Sequence, residues 1–167
     1  SRQRVQEFVT NRFPQAKWYS YDAVDCDIHV RAASQATGKA VRPYFRFDQA
    51  AIIVSLDCDF IGGEEDSARY ISGFAKGRRI EKPGDAMNRL YVIEPLMTLT
   101  GMNADHRLRV AGSQVQAKAA QLAQAVLNNA ATEDKWIAEC AKDLAANRGK
   151  VLVVAGQRQA VAVHLLA

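Results

Sequence analysis

The run Ala50-Ala51-Ile52-Ile53-Val54-Ser55-Leu56-Asp57 decides the fold. Only Ser55 interrupts its apolar residues, three of which are β-branched, and nothing in it alternates polar with apolar. A strand with one face in water must alternate, because successive side chains point to opposite faces. A continuous apolar run closed by Asp57 and Asp59 predicts a strand covered on both faces, as in a parallel sheet between two layers of helices. Tyr70, Ile71 and Phe74 then share one side of a predicted helix over residues 67–79. Glu64, Glu65 and Asp66 suit the positive N-terminal end of that helix.

The same grammar extends in both directions. Residues 89–93 (RLYVI) form a second apolar strand broken by Glu94 and Pro95, and residues 151–155 (VLVVA) a third, followed by Gly156. Residues 16–21 (AKWYSY) read as a further strand, the first in the chain. Helical spacing covers residues 2–13, where Pro14 stops it, and residues 28–37, where Gly38 supplies the left-handed stop. Val115, Ala119, Leu122, Ala123 and Val126 make a helical stripe within residues 113–127, with Ser113 as its N-cap, after a polar loop. Another helix starts near Thr132, with Glu133 and Asp134 in its first turn and Trp136, Ile137, Cys140 and Leu144 on its buried face, and ends at Gly149. A last helix begins at Ala160. Strands separated by helices call for parallel pairing through right-handed crossovers. The expected fold is α/β: a single Rossmann-like three-layer domain over residues 1–167, with a mostly parallel sheet of at least four strands and helices on both faces.

Composition narrows the function. With 167 residues, 49% of them hydrophobic, one core can bury roughly two-thirds of the unfolded surface. The net charge of +4 is scattered along the chain, with only Arg78, Arg79 and Lys82 near one another and Glu81 among them, which argues against a phosphate-tracking surface and a nucleic-acid partner. Cys26, Cys58 and Cys140 lack the spacing of a disulfide framework, a zinc site or an iron–sulfur site and read as small core residues. No apolar run approaches the length of about 20 residues that spans a bilayer. Helical periodicity begins almost at the first residue, with Val5, Phe8 and Val9, and residues 160–167 run out as an apolar helix without a cap. The chain therefore reads as one domain excised from a longer protein, soluble by itself.

In an open parallel sheet, ligands bind outside the carboxyl ends of the strands. The candidate surface is residues 57–63 (DCDFIGG), 94–101 (EPLMTLTG) and 156–159 (GQRQ). Gly62 and Gly63 make either a phosphate-approaching turn or a plain one; neither common nucleotide fingerprint is present, and Glu64 to Asp66 would repel a phosphate. Asp57, Asp59 and Glu94 are either paired carboxylates for acid–base or metal chemistry, or acids that tie loops at strand ends. Asp105-His106 lacks an accompanying nucleophile, and His29 and His164 lie far away in sequence, so all three histidines read as structural and no catalytic residue is assigned.

Residues 90–108 (LYVIEPLMTLTGMNADHRL) and 110–117 (VAGSQVQA) resemble the strand-ending element and the following glycine turn of the molybdopterin oxidoreductases of the dimethyl-sulfoxide-reductase superfamily. Residues 13–19 (FPQAKWY), 48–60, 87–108 and 152–167 resemble more closely the molybdopterin-like subunit of bacterial alternative complex III, a quinol-oxidising membrane assembly. The resemblance implies a guanosine-side pocket for a molybdopterin guanine dinucleotide. Glu94, Thr98, Thr100 and Asp105 would stand at the family's polar positions and Gly112 and Ser113 at its glycine turn, with Asp57 and Gln157 completing the lining. Leu96 replaces the family's arginine and Gln114 an aspartate whose paired acceptors an amide does not reproduce. The resemblance to the complex III subunit thus implies a scaffold domain without its own cofactor, and the dinucleotide-binding domain is the alternative. It further implies iron–sulfur clusters elsewhere in a longer parent, partners among the parent's other domains and neighbouring subunits, and a parent on the periplasmic face of the bacterial cytoplasmic membrane.

Overall fold

The computed structural model describes residues 2–19, 21, 23 and 25–167. In chain order these form α1 (Arg2–Arg12), α2 (Ile28–Thr37), β1 (Ile52–Leu56), α3 (Ser67–Arg78), β2 (Arg89–Glu94), α4 (Leu99–Met102) and β3 (His106–Arg109). After β3 come α5 (Val115–Asn128), α6 (Lys135–Ala146), β4 (Val151–Ala155) and α7 (Val161–Leu166). The four strands make one all-parallel sheet in the order β3-β2-β1-β4. Ile52 lies opposite Arg89 and Val151, and Leu56 opposite Ile93 and Ala155, so β1 is paired along its whole length on both edges. The chain leaves β1 for β2 and β3 on one side and returns to β4 on the other.

The pleat sorts side chains into two cores. Ile52, Val54 and Leu56 of β1 join Tyr91 and Ile93 beneath Val115, Ala119 and Leu122 of α5, Ile137, Cys140 and Leu144 of α6, and Val163 of α7. Ile53, Leu90, Val92 and Val154 face the opposite layer, where Phe47, Phe60, Tyr70 and Phe74 interleave. The Phe47 and Phe60 rings lie 4.4 Å apart and tilted, and Phe74 meets Phe60 edge-on at 5.4 Å, arrangements that aromatic rings prefer. Helices thus cover both faces of the sheet, the three-layer α/β Rossmann-like fold. Outside the cores, α2 buries Ile28 and Ala32 and leans on α7, while α1 buries none of its residues. Gly38 ends α2 with φ 69°, and its amide donates to the Ser34 carbonyl.

Four local expectations change. Residues 16–19 are irregular rather than a strand, and Ser20, in the same predicted segment, lies outside the described residues. Its aromatic residues suit a strand, but Tyr19 is exposed and the sheet edges belong to β3 and β4. The fourth strand is instead β3, hidden in the polar stretch before α5, because an edge strand of four residues carries too little apolar sequence to announce itself. Ser113 does not cap α5: residues 112–114 form a 3₁₀ turn without a side-chain cap. Asp134 precedes α6 rather than lying within it, and caps it by accepting from the amides of Trp136 at 3.0 Å and Ile137 at 3.3 Å.

Phe60 has no exposed surface, whereas Phe8 on α1 is 65% exposed. Phe60→Ala is expected to cost about 3–5 kcal/mol in urea unfolding. Phe8→Ala should stay within about 0.5 kcal/mol of the parent.

Candidate functional site

The reversal of chain order at β1 opens the one crevice where an open α/β sheet offers a ligand its strand ends. In this chain the two loops that border it close on each other. The Gly156 amide donates to the Leu56 carbonyl at 3.0 Å, so the chain exits β1 and β4 at one level, while on the β2 side the Asp57 amide donates to the Ile93 carbonyl at 2.7 Å. Asp57 turns there with φ 53°, the left-handed region that residues with a Cβ avoid. Gly156 lies so close that a Cβ would collide with the Asp57 carbonyl oxygen. The Gln159 side chain then donates from Nε2 to the Asp57 carboxylate at 2.7 Å, and burial pushes the Asp57 carboxyl pKa up. The neighbouring Gln157 is also held, its amide on Glu64 Oε1 at 3.1 Å and its Nε2 on the Gly63 carbonyl at 3.0 Å.

At the end of β2 the polar side chains bond to one another. Glu94 is 1% exposed. Its carboxylate accepts from Arg107 Nε at 2.5 Å and from Thr98 Oγ1 at 2.7 Å, and Gly101 packs so close that a Cβ there would strike it. Thr98 also caps α4 by accepting from the Gly101 amide at 3.0 Å. Thr100 is fully buried: its hydroxyl donates to Asp59 Oδ1 at 2.9 Å and accepts from the Ile61 amide at 3.1 Å. The Thr100 amide reaches the same Asp59 oxygen at 3.0 Å. The loops after β1 and β2 are thereby laced together, as the loop-tying reading of these acids expects.

Asp105 does not join this group. It precedes β3, and its carboxylate accepts the Leu90 amide at 2.7 Å, at the amino end of β2. Four residues of strand, about 13 Å, separate that level from Glu94. Arg78 grips Asp105 with both terminal nitrogens, at 2.8 and 2.6 Å. Burial raises the Asp105 pKa, but Arg78 and the Leu90 amide outweigh it and hold the carboxyl below its usual value. Gly112 and Ser113 remain at the carboxyl end, on the exposed turn after β3 beside Pro95.

Two features escaped the sequence reading. Leu96, Met97, Leu99 and Met102 project from the rim of β2 with 52–68% of their surface exposed, so this rim is more apolar than a polar ligand would favour. Glu64, read as a helix-end acid, is instead buried, with His29 Nε2 on its Oε2 at 3.1 Å and the His164 ring 4.9 Å from that of His29. Only the Gly-Gly-Glu step hinted at an inward turn, and nothing in the sequence named its partners. Among the described residues, no group of three or more His, Cys, Asp or Glu is placed to hold a metal ion. Cys58 and Cys140 are buried and burial raises their thiol pKa values, that of Cys140 to about 12, while Cys26 is exposed rather than in the core.

Thr100→Val keeps the shape of the side chain and removes the bridge between the two loops. The expected loss is about 1–3 kcal/mol of stability in urea, with faster amide exchange at Ile61. Parental stability and exchange in the variant would show that the lacing carries no weight.

No protein-family description matches this chain, and no curated protein is significantly similar to it.

Proposed function

We propose that the chain is the α/β scaffold domain of a molybdopterin-oxidoreductase-like subunit, part of a membrane-associated, quinol-oxidising electron-transfer assembly, and that it holds no cofactor itself. The observation that carries this reading is how the strand-end polar groups are used. Glu94, Thr98, Asp59 and Thr100 bond to each other and to the chain, and the rim above them presents Leu96, Met97, Leu99 and Met102. A rim of that kind suits burial against protein better than contact with a guanine dinucleotide. The resemblance at residues 87–108 and 152–167 supplies the parent, its periplasmic setting, its iron–sulfur clusters outside these residues, and partners among its other domains and subunits. Many basic side chains already have acidic partners, including Arg42 with Glu65, Arg46 with Asp48 and Arg89 with Asp143, which supports a partner other than nucleic acid. No helix among the described residues is long and apolar enough to cross a membrane.

The residues present fit molybdopterin guanine dinucleotide poorly. The Glu94 carboxylate, the family's guanosine-side acid by resemblance, has its oxygens occupied by Arg107 and Thr98, and Gln159 and Gly156 close the crevice over Asp57. The second reading, a working dinucleotide domain, draws on the exposed Gly112 and Ser113 turn.

Melting the purified chain with rising GDP separates the two. A ligand that binds only the native state at about one hundred times its Kd adds about 2.7 kcal/mol of stability. The scaffold reading expects an unchanged Tm at millimolar GDP. A rise at micromolar GDP that disappears in Ser113→Ala would replace it with the second reading.

A further inference from the structure

The first turn of α2 meets α7 through two histidine rings. His29 and His164 lie edge-to-face with centroids 4.9 Å apart, and the buried Glu64 carboxylate binds His29 Nε2 at 3.1 Å. His164 Nε2 is 3.1 Å from the Gly156 carbonyl; a carbonyl only accepts, so this nitrogen carries the proton. Both rings are therefore engaged through Nε2, and acid adds a proton at Nδ1. For His29 that atom is buried and without a partner, so a new N–H there would have no acceptor. Two imidazolium ions at this separation would also share a single buried carboxylate, which can compensate one of them.

The remaining charges near the cluster do not relieve the pair. On the outer side of His29, Glu65 is paired with Arg42 at 2.6 Å, and Asp66 lies 3.9 Å from the same guanidinium. Asp27 and the Cys26 thiol flank the start of α2, and Phe45 covers another edge of the His29 ring. On the inner side, Cys58 and Asp57 lie near Glu64, with Asp57 bound to Gln159 and Arg158 exposed beside it. The weaker of the two helices is α2. It buries Ile28 and Ala32, whereas α7 is anchored by Val163, which has no exposed surface and lies in the main core.

We propose that His29, Glu64 and His164 form a latch that holds α2 on α7 while the His164 ring is neutral and releases α2 when that ring takes up a proton beside His29. Burial first, and His29 second, lower the His164 pKa from its usual 6.5. A group with a depressed folded-state pKa stabilises fully above its unfolded value, and that stabilisation is lost as pH falls through the folded value. The latch is therefore fully closed above about pH 6.5 and opens as pH falls from there through the lower folded-state value of His164. Opening frees α2 together with α1, none of whose residues is buried.

The test is amide hydrogen exchange of this chain from about pH 8 to about pH 5, corrected for the chemical exchange rate. Protection across α2 is expected to fall about tenfold or more on acidification while α6 holds. His164→Gln keeps a donor for the Gly156 carbonyl and His29→Gln keeps one for Glu64, and each should flatten the α2 profile. Equal protection of α2 and α6 at every pH overturns the latch, as does a full fall that persists in both variants. If the variants do not fold, ring-proton NMR of the parent decides. The His164 ring should titrate over the interval in which α2 loses protection, and its titration without that loss rejects the latch.

Discussion

Ile53 and Val54 have no exposed surface, and the strand that carries them is paired along both edges. Everything else is arranged around that constraint. A strand buried on both faces needs a helical layer above and below it, and α5, α6 and α7 on one side with α3 and the Phe47–Phe60 pair on the other provide them. Burying Ile52, Ile53, Val54 and Leu56 contributes about 1.5–3 kcal/mol each. That is enough to offset the cost of about 1–2 kcal/mol per residue of fixing their backbone. Because β1 cannot shift, its exit at Asp57 is fixed too, and the left-handed turn there brings the loop under Gly156.

The charged groups explain how the outer strand stays in place. β3 has four residues, and His106 and Arg109 on it are exposed, so packing alone holds it weakly. Two carboxylates pin it. Asp105, just before it, binds the Leu90 amide and Arg78, and Glu94, the last residue of β2, binds Arg107, the second residue of β3. A buried ion pair adds little net stability over an apolar pair, but losing one partner strands the other in a low-dielectric site. Such pairs therefore specify geometry more than they strengthen the fold, which accords with a domain whose strand-end acids serve its own architecture.

The parts of the fold legible in the sequence were those whose burial left an apolar run. β1, β2 and β4 stand out because residues 50–56, 90–93 and 151–155 are apolar throughout but for Ser55. β3 did not, since water on one side leaves it as His-Arg-Leu-Arg, and residues 16–19 misled because aromatic composition is the same whether or not a neighbouring strand exists to pair with. Glu94 and Asp57 could be located as strand-end acids from their place after apolar runs. Asp105 could not, because α4 carries the chain back to the amino end of the sheet before β3 begins, and sequence distance from β2 does not reveal that return.

Sequence by itself therefore determined the class of the protein: buried strands separated by amphipathic helices, parallel pairing, and acids at the strand ends. Tertiary structure alone decided what those acids do. Whether a carboxylate faces a ligand or a threonine depends on which loop lies beside it, and strand order sets that. Asp59 meets Thr100 because β1 and β2 are neighbours, Asp57 meets Gln159 because β4 returns to the far side of β1, and Glu64 meets His29 because α2 folds back against α7. Periodicity records burial along one segment, whereas a hydrogen bond between distant segments leaves no periodic trace in either.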